Sequence, residues 1–420
     1  MAESRPGLLA VDAALKTILS AVRPLGSERV PLREALGRVL AADLCAPRDV
    51  PPWDNSSVDG YAVRAANVAS ADQERPAALA VIEEIPAGCM PTRTVSDGQA
   101  SRIMTGAPMP AGADAVVMVE DTTLDGERVL VRAAAPVGDS VRRRGQDVRA
   151  GAIVVSSGRR LRPADVGMAA SLGYAAASVG RRPRVGILAT GDELIDVGEP
   201  ERSDRLYDVN SYAIAAQVAE AGSVAVALGI ARDTPAAVRA ALSELDGLDA
   251  LIVCGGVSVG KFDFVKDVLT ELGMTMEFWR VAMKPGSPMA FGSIRGRPVF
   301  GLPGNPVSSM VTFEVFVRPA LLRMAGATVV DRPVVAAELS GDVEKSPGKT
   351  HFVRARLWRD GARLRAAPTG SQDSGVLTSM VKADGLMVLD RETGRATSGQ
   401  IVDVRLLHGE GTGEGAIHGV

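Results

Sequence analysis

At 420 residues the chain is too long for a single hydrophobic core and reads as two to four domains. Hydrophobic residues at 46% and charged residues at 23% are ordinary for a globular protein. A net charge of −3 gives no electrostatic drive toward nucleic acid or a membrane surface, and 4% aromatics are too few for base-stacking platforms. The N-terminus carries Asp12 inside its apolar run and lacks a small-residue cleavage site, and no apolar run reaches the roughly 20 residues of a membrane helix. The expected location is therefore cytoplasmic. Cys45, Cys89 and Cys254 lie far apart with no CxxC, and His351, His408 and His418 form no pattern with them. That argues against a zinc site and against Cys or His chemistry, leaving carboxylates, hydroxyls, Lys/Arg and a hard divalent cation.

Taken in order, residues 8–23 place Leu8, Val11, Leu15, Ile18, Leu19 and Val22 at helical spacing, and a second short helix is expected from Leu32 to Leu40. Pro47, Pro51 and Pro52 end the helical character. From Trp53 to about Val141, Gly and Pro punctuate short apolar segments that read as strands of a small β domain. Helix returns at Arg162–Leu172, with Pro163 suited to its first turn and Gly173 to its end. The economical layout is a helical module in two pieces, residues 1–52 and 142–181, with a β domain at 53–141 inserted between them.

Between Arg182 and Ala327 strands and helices alternate, which predicts a parallel, doubly wound α/β sheet over 182–328. Val185–Leu188, Val224–Ile230, Leu251–Cys254 and Val299–Gly301 read as its strands, the last of them closing the sheet. Asn210 is expected to cap the helix that ends before Gly222. Asp233-Thr234-Pro235 opens the next one, and Asn305-Pro306 begins a long helix to Met324. Ligands of such sheets sit outside the carboxyl ends of the strands, where three loops stand out. These are Ala189-Thr190-Gly191-Asp192-Glu193-Leu194, then GGVSVGKFD from Gly255, then GLPGNPVS from Gly301. Two glycine loops feeding helix starts, beside a carboxylate loop, fit a phosphate-plus-metal site. Residues 329–409 again read as short strands of a small β-barrel domain, and 410–420 as a disordered tail.

The motifs PWDNSSVDGYA from Pro52, RIMTGAP from Arg102, RRRG from Arg142, TGDEL, GGVSVG, MKPG and GLPGNPVS occur in one order. That series resembles the molybdopterin molybdenumtransferase family, bacterial MoeA and the E domain of gephyrin, over nearly the whole chain. The resemblance implies the last step of molybdenum cofactor assembly: molybdate is inserted into adenylylated molybdopterin and AMP is released, with a divalent cation, commonly Mg²⁺. It also implies an elongated homodimer in which the inserted β domain of one subunit faces the α/β domain of the other.

On that basis Glu193 and Asp263 are candidates for metal or water positioning, and Asp263 would also favour the dipole of its helix. Asp233 matches a functional position of the family, and serves equally well as a helix cap. Lys284 is the candidate grip on molybdate or phosphate. Asp59 and Thr105 would come from the partner subunit, and would otherwise be turn residues before Gly60 and Gly106. Pro303 and Pro306 shape the last loop and Ser308 can donate to an oxyanion. Thr190, Gly191, Gly255, Gly256, Ser258, Gly260 and Gly304 are the expected contacts of the molybdopterin substrate. Arg142 to Arg144 could hold an anion or the partner chain, or be a solvated charge run. The chain departs from the bacterial pattern at Arg280, where relatives often carry Lys, and at Ser287, where a second Lys is frequent. Both changes bear on molybdate affinity more than on the reaction. Two other readings remain: a molybdopterin adenylyltransferase, whose α/β domain shares the GGVSVG-like loop, and a non-catalytic molybdopterin carrier or scaffold.

Overall fold

The computed structural model describes residues 8–242, 245–256 and 264–408. The chain divides into two compact units, Asp43–Ser156 with Pro163–Ala175, and the remainder.

The smaller unit is built on a six-stranded sheet. Its strands run in the order Ala115–Met118, Gly60–Val63, Gln99–Ile103, Ala77–Ile85, Arg128–Val131 and Thr122–Asp125. Gly60 is required there, because a Cβ would lie 2.0 Å from the Val117 carbonyl oxygen. The helix Pro163–Ser171 also belongs to this unit, with Gly173 behind it in the left-handed region at φ +87°. The arginine run splits: Arg143 pairs with Asp54 at 2.7 Å, and Arg144 with Asp49 at 2.5 Å. Those two side chains serve the fold of this unit.

In the larger unit, β1 (Arg184–Thr190), β2 (Val224–Ala231) and β3 (Ala250–Cys254) are parallel. α1 (Val209–Glu220) and α2 (Pro235–Ala241) connect them, and α3 (Phe264–Glu271) follows. β4 (Thr275–Trp279), β5 (Ala290–Ile294) and β6 (Arg297–Leu302) complete a sheet of order β2-β1-β3-β6-β5-β4. β6 is parallel to β3, whereas β5 runs antiparallel to both of its neighbours, β6 and β4. The all-parallel expectation fails at that edge, because a short turn at Arg295-Gly296 returns the chain directly as a hairpin. Period-two burial puts Ile187 and Ile252 in the cluster on one side of the sheet and Leu188 and Val253 in another. Each such side chain contributes about 1.5–3 kcal/mol when fully buried.

The segment after β6 is helical to Met324, but not uniformly. α4 (Pro306–Thr312) passes through a π turn at Phe313–Val317 into the helix Arg318–Met324. The first helix among the described residues is Val11–Ala21, with Val11, Ala14 and Ile18 buried in the same cluster. The expected helix at Leu32–Leu40 is absent: only a three-residue 3₁₀ turn forms at Leu32–Glu34. Gly37 takes φ +72°, and Val39 and Leu40 bridge to Arg160 and Val179 instead. Apolar spacing alone could not separate those outcomes.

The C-terminal part is a closed five-stranded barrel. Thr350–Asp360 pairs with Arg363–Pro368 and Gly385–Leu389, and Ile401–Leu406 and Val334–Leu339 close the ring. A short outer strand, Met283–Lys284, runs parallel to Thr350–His351. Among the described residues no helix is long and apolar enough to cross a membrane. Residues 410–420 lie outside the described residues.

Candidate functional site

A cleft of about 1260 Å³ opens at the carboxyl ends of β1, β3 and β6. That exceeds the roughly 300–1,000 Å³ of ordinary small-molecule pockets and leaves room for a large, extended ligand. All three loops marked in the sequence contribute: Thr190, Gly191 and Glu193 from the first, Gly255 and Gly256 from the second, and Pro303, Gly304, Pro306 and Ser308 from the third. Lys284 and Ser287 line it from the segment after β4, and Asp233 from the end of β2. Ser258, Gly260 and Asp263 lie outside the described residues.

Close backbone packing sets the floor. Gly255 sits at φ +92° with its N–H donating to the Leu302 carbonyl at 3.0 Å, which ties the second loop to the third. A Cβ at Gly255 would meet the Thr190 carbonyl oxygen at 2.7 Å. Gly255→Ala is therefore expected to destabilise this unit by about 1–3 kcal/mol and to distort the cleft floor. Thermal melting of the purified variant checks this; an unchanged melting temperature would contradict it. Gly191 is held chiefly by its backbone, at φ +154°; a Cβ there would lie 2.7 Å from the Glu193 carboxylate, a side-chain end that can move aside.

The acidic wall differs from its expected form. The cap of α2 is Thr234, whose hydroxyl accepts from the Ala237 N–H at 3.3 Å, so Asp233 is not a cap. Asp233 instead exchanges two 3.3 Å bonds with Asp192, each backbone N–H donating to the other's carboxylate. Burial, then the charges of Asp192 and Glu193, hold the Asp233 carboxyl above the usual range, against the lowering effect of the Asp192 N–H. A raised carboxyl pKa means the folded state binds more protons than the unfolded chain just above the ordinary Asp value. Stability therefore falls as pH rises through that window. Asp233→Asn is expected to raise the melting temperature at pH 7, with the gain vanishing as the pH drops below the window. A gain constant across pH would rule out the charge explanation.

The helix α1 is capped by Asp208, not Asn210: the buried Asp208 carboxylate accepts from the Ser211 N–H at 3.0 Å. Asn210 reaches across and donates from Nδ2 to the Gly304 carbonyl at 2.7 Å. Ser308 is buried in the first turns of α4, where its carbonyl accepts from the Thr312 hydroxyl at 2.6 Å. Pro306 occupies the first turn of α4, and the Ser309 hydroxyl donates to the Pro303 carbonyl. The barrel closes one side of the cleft: the Asn305 amide donates to the Ser374 hydroxyl at 2.8 Å and the Val307 N–H to the Ser374 carbonyl at 3.2 Å. Lys349, Gln372 and Asp373 join it on the rim. Sequence reasoning named none of these barrel residues, because no local pattern says which barrel loop folds over a distant helix start.

Lys284 is exposed, and among the described residues no carboxylate pairs with it. Its strand fixes it, with Met283 buried on one side and the buried Pro285 on the other. Ser287 donates its hydroxyl to the Val281 carbonyl at 2.8 Å. Arg280 does not line the cleft; it takes φ +83° at the end of β4 with its N–H on the Met289 carbonyl. His351 is held neutral near pH 7: burial, then Lys345, Lys284 and Lys349, push its pKa down to about 4. The buried Cys254 thiol is pushed up.

Asp59 and Thr105 belong to the smaller unit, where they meet each other. The Asp59 carboxylate accepts from the Thr105 N–H and hydroxyl, both at 2.7 Å, and these bonds hold its pKa below the usual range. Asp59 is exposed and its partner is Thr105 rather than its own turn.

A doubly wound α/β domain with a glycine-floored cleft at the strand ends, edged by an exposed lysine, is the frame that ligand-binding α/β domains share. Residues 186–323 match the family described as a probable molybdopterin binding domain. Residues 9–173 match the MoeA N-terminal region (domain I and II), and 336–407 the MoeA C-terminal region (domain IV). Molybdopterin molybdenumtransferase 2 of Mycobacterium tuberculosis is 39% identical over 394 residues, covering 92% of this chain and 96% of that one. Molybdopterin molybdenumtransferase of Bacillus subtilis is 36% identical, covering 96% and 95%. The crystal structure of the molybdopterin biosynthesis MoeA protein from Pyrococcus horikoshii OT3 is similar at a TM-score of 0.83 and 30% identity, over 95% of this chain and all of that one. The chain belongs to the molybdopterin molybdenumtransferase (MoeA) family, a family of transferases.

Proposed function

We propose that this chain performs the transfer for which its relatives are named, inserting molybdenum into molybdopterin during molybdenum cofactor biosynthesis. The incoming substrates are adenylylated molybdopterin and molybdate, and AMP leaves. The observation that carries the reading is the cleft itself, where Glu193, Gly255, Lys284 and Ser308 meet from four separate segments at the ends of the strands. Polyanionic substrates need N–H groups and fixed cations; the Gly256 and Gly304 N–H groups and Lys284 supply them, while Gly255, whose N–H is held by the Leu302 carbonyl, lets the substrate approach the backbone closely.

Mg²⁺ is the proposed divalent cation. Among the described residues no group of three or more His, Cys, Asp or Glu could hold a metal by itself. Mg²⁺ commonly uses only one or two carboxylates and completes its shell with phosphate oxygens and water. Glu193, with Asp263, fits that need, and the bound ion would offset phosphate charge. The protein acts as a cytoplasmic homodimer, in which the partner subunit's Asp59 and Thr105 complete the site and residues 53–141 form the partner-facing domain.

The test is to incubate the purified chain with adenylylated molybdopterin, molybdate and Mg²⁺, following AMP release and reconstitution of an apo-molybdoenzyme. Both signals, lost together in Asp263→Asn, are expected. AMP release without reconstitution would mean hydrolysis uncoupled from insertion. Neither signal, with molybdopterin still bound, would leave a carrier and end the transferase reading.

A further inference from the structure

Asn210 sits at the second position of α1 with 8% of its surface exposed, and it lines the cleft. Its amide orientation is fixed by chemistry. The Gly304 carbonyl can only accept, so Nδ2 must face it, at 2.7 Å. The other half of the amide, Oδ1, is then turned elsewhere; it is buried and has no hydrogen-bond partner among the described residues. Helix capping cannot account for the residue, because Asp208 already fills that role. Nor does Gly304 need an oxygen, since it is bound through the nitrogen. A buried acceptor left alone in a native protein is uncommon, and one on the wall of a ligand cleft implies that a ligand supplies the donor.

The geometry points to Asn210 as a substrate-binding residue: Oδ1 accepts a hydrogen bond from an uncharged N–H or O–H of the organic substrate. This rests on the proposed molybdopterin-transferase reading and deepens it. Phosphates and molybdate carry acceptor oxygens at neutral pH, so a carbonyl acceptor does nothing for them. It recognises the part of the substrate that they lack, the pterin N–H groups or the ribose hydroxyls. Asn210 thus gives this wall of the cleft a preference for a heterocycle or sugar over a bare oxyanion, while the same amide holds the Gly304 carbonyl in place.

Two variants separate the halves of the amide. Asn210→Leu removes acceptor and donor together. Asn210→Asp keeps an acceptor oxygen but, ionised, loses the donor to Gly304. Ligand-observed NMR titrations on the full chain use adenosine for the ribose hydroxyls and 6-hydroxymethylpterin for the pterin N–H groups, both uncharged so that the new carboxylate does not repel them. Molybdate is the donor-free control. The expected result is a loss on the order of tenfold to a hundredfold in Asn210→Leu for one of the two organic probes. Which probe weakens identifies the source of the donor. Asn210→Asp at about pH 6.5, where the pterin lactam keeps its proton, should hold that probe within a few-fold of the wild type, and molybdate binding should not change in Asn210→Leu. Should Asn210→Leu fail to fold, the Asn210→Asp titration carries the test alone, since a mere loop anchor loses affinity there too.

Equal weakening of all ligands in both variants would make Asn210 a loop anchor and overturn the assignment. Unchanged affinity in Asn210→Leu would overturn it as well. The wild-type titration reports separately on the underlying reading: if the unmodified chain binds neither organic probe nor molybdopterin, the transferase reading fails and Asn210 with it.

Discussion

Lys284→Ala is expected to lower molybdenum transfer on the order of a hundredfold or more, the scale seen when a fixed charge stabiliser is removed from a reacting anion. The melting temperature should barely move, because the side chain is exposed and surface substitutions usually stay within about 0.5 kcal/mol. The size of the effect follows from how little other positive charge the described residues of the cleft hold. Arg280, read from the sequence as a second cation, sits at the end of β4 and is not among the residues lining the cleft. Ser287, where relatives often carry a lysine, spends its hydroxyl on the Val281 carbonyl. Lys349 is the other lysine on the rim among the described residues. Lys284 is also pre-positioned, since its strand pairs with Thr350 and His351 of the barrel. Lys284→Arg should recover only part of the activity, because a planar fork does not replace a compact ammonium. Reconstitution of an apo-molybdoenzyme measures both variants. Full activity in Lys284→Ala would move the oxyanion grip to Lys349, whose own alanine variant would then show the loss.

How far the sequence told this in advance depends on how local each signal is. The strands β1, β2, β3 and β6 were legible because each is an apolar run ended by Gly or a carboxylate loop, and the three loops that mark the cleft follow β1, β3 and β6 directly. β4 and β5 were missed. Thr275–Trp279 alternates exposed and half-buried residues, and Ala290–Ile294 holds Gly292 and Ser293, so neither stands out as an apolar run. The caps were misplaced by one or two residues, at Asp208 and Thr234 instead of Asn210 and Asp233, because neighbouring polar residues compete for one N–H. That small error hid what is chemically distinctive about both positions. Asp233 is freed to face Asp192, and Asn210 is freed to reach Gly304. The barrel's share of the cleft could not be read at all, because Ser374 meets Asn305 and Val307 across nearly seventy residues of chain. The family motifs bridged part of that gap, since they report a whole assembly where periodicity reports single elements.

The second large effect lies away from the cleft, in the π turn of the helix that carries Pro306 and Ser308. Glu314 of Phe313–Val317 is 3% exposed, and Arg332 is buried beside it. Arg332 Nε reaches the Glu314 carboxylate at 3.1 Å and Nη2 reaches it at 3.2 Å, while Gln217 of α1 donates to the same carboxylate at 3.1 Å. Arg332 also meets Glu220, the last residue of α1, at 2.9 Å. This network ties α1, which carries Asn210, to the helix carrying Ser308. Removing one member of a buried pair leaves an uncompensated charge at a cost of about 3–5 kcal/mol, whereas replacing both by apolar groups of similar size is often near neutral. Glu314→Ala is therefore expected to lower the melting temperature of the larger unit on the order of 5–10 °C. Glu220 is half exposed and so recovers only part of the loss for Arg332. The double variant Glu314→Met with Arg332→Met should restore most of the stability, which a cavity alone would not do. If it melts as low as Glu314→Ala, packing and not charge explains the site. If it melts like the wild type but transfers molybdenum more slowly, the ion pair's role is to hold Asn210 and Ser308 in register across the cleft.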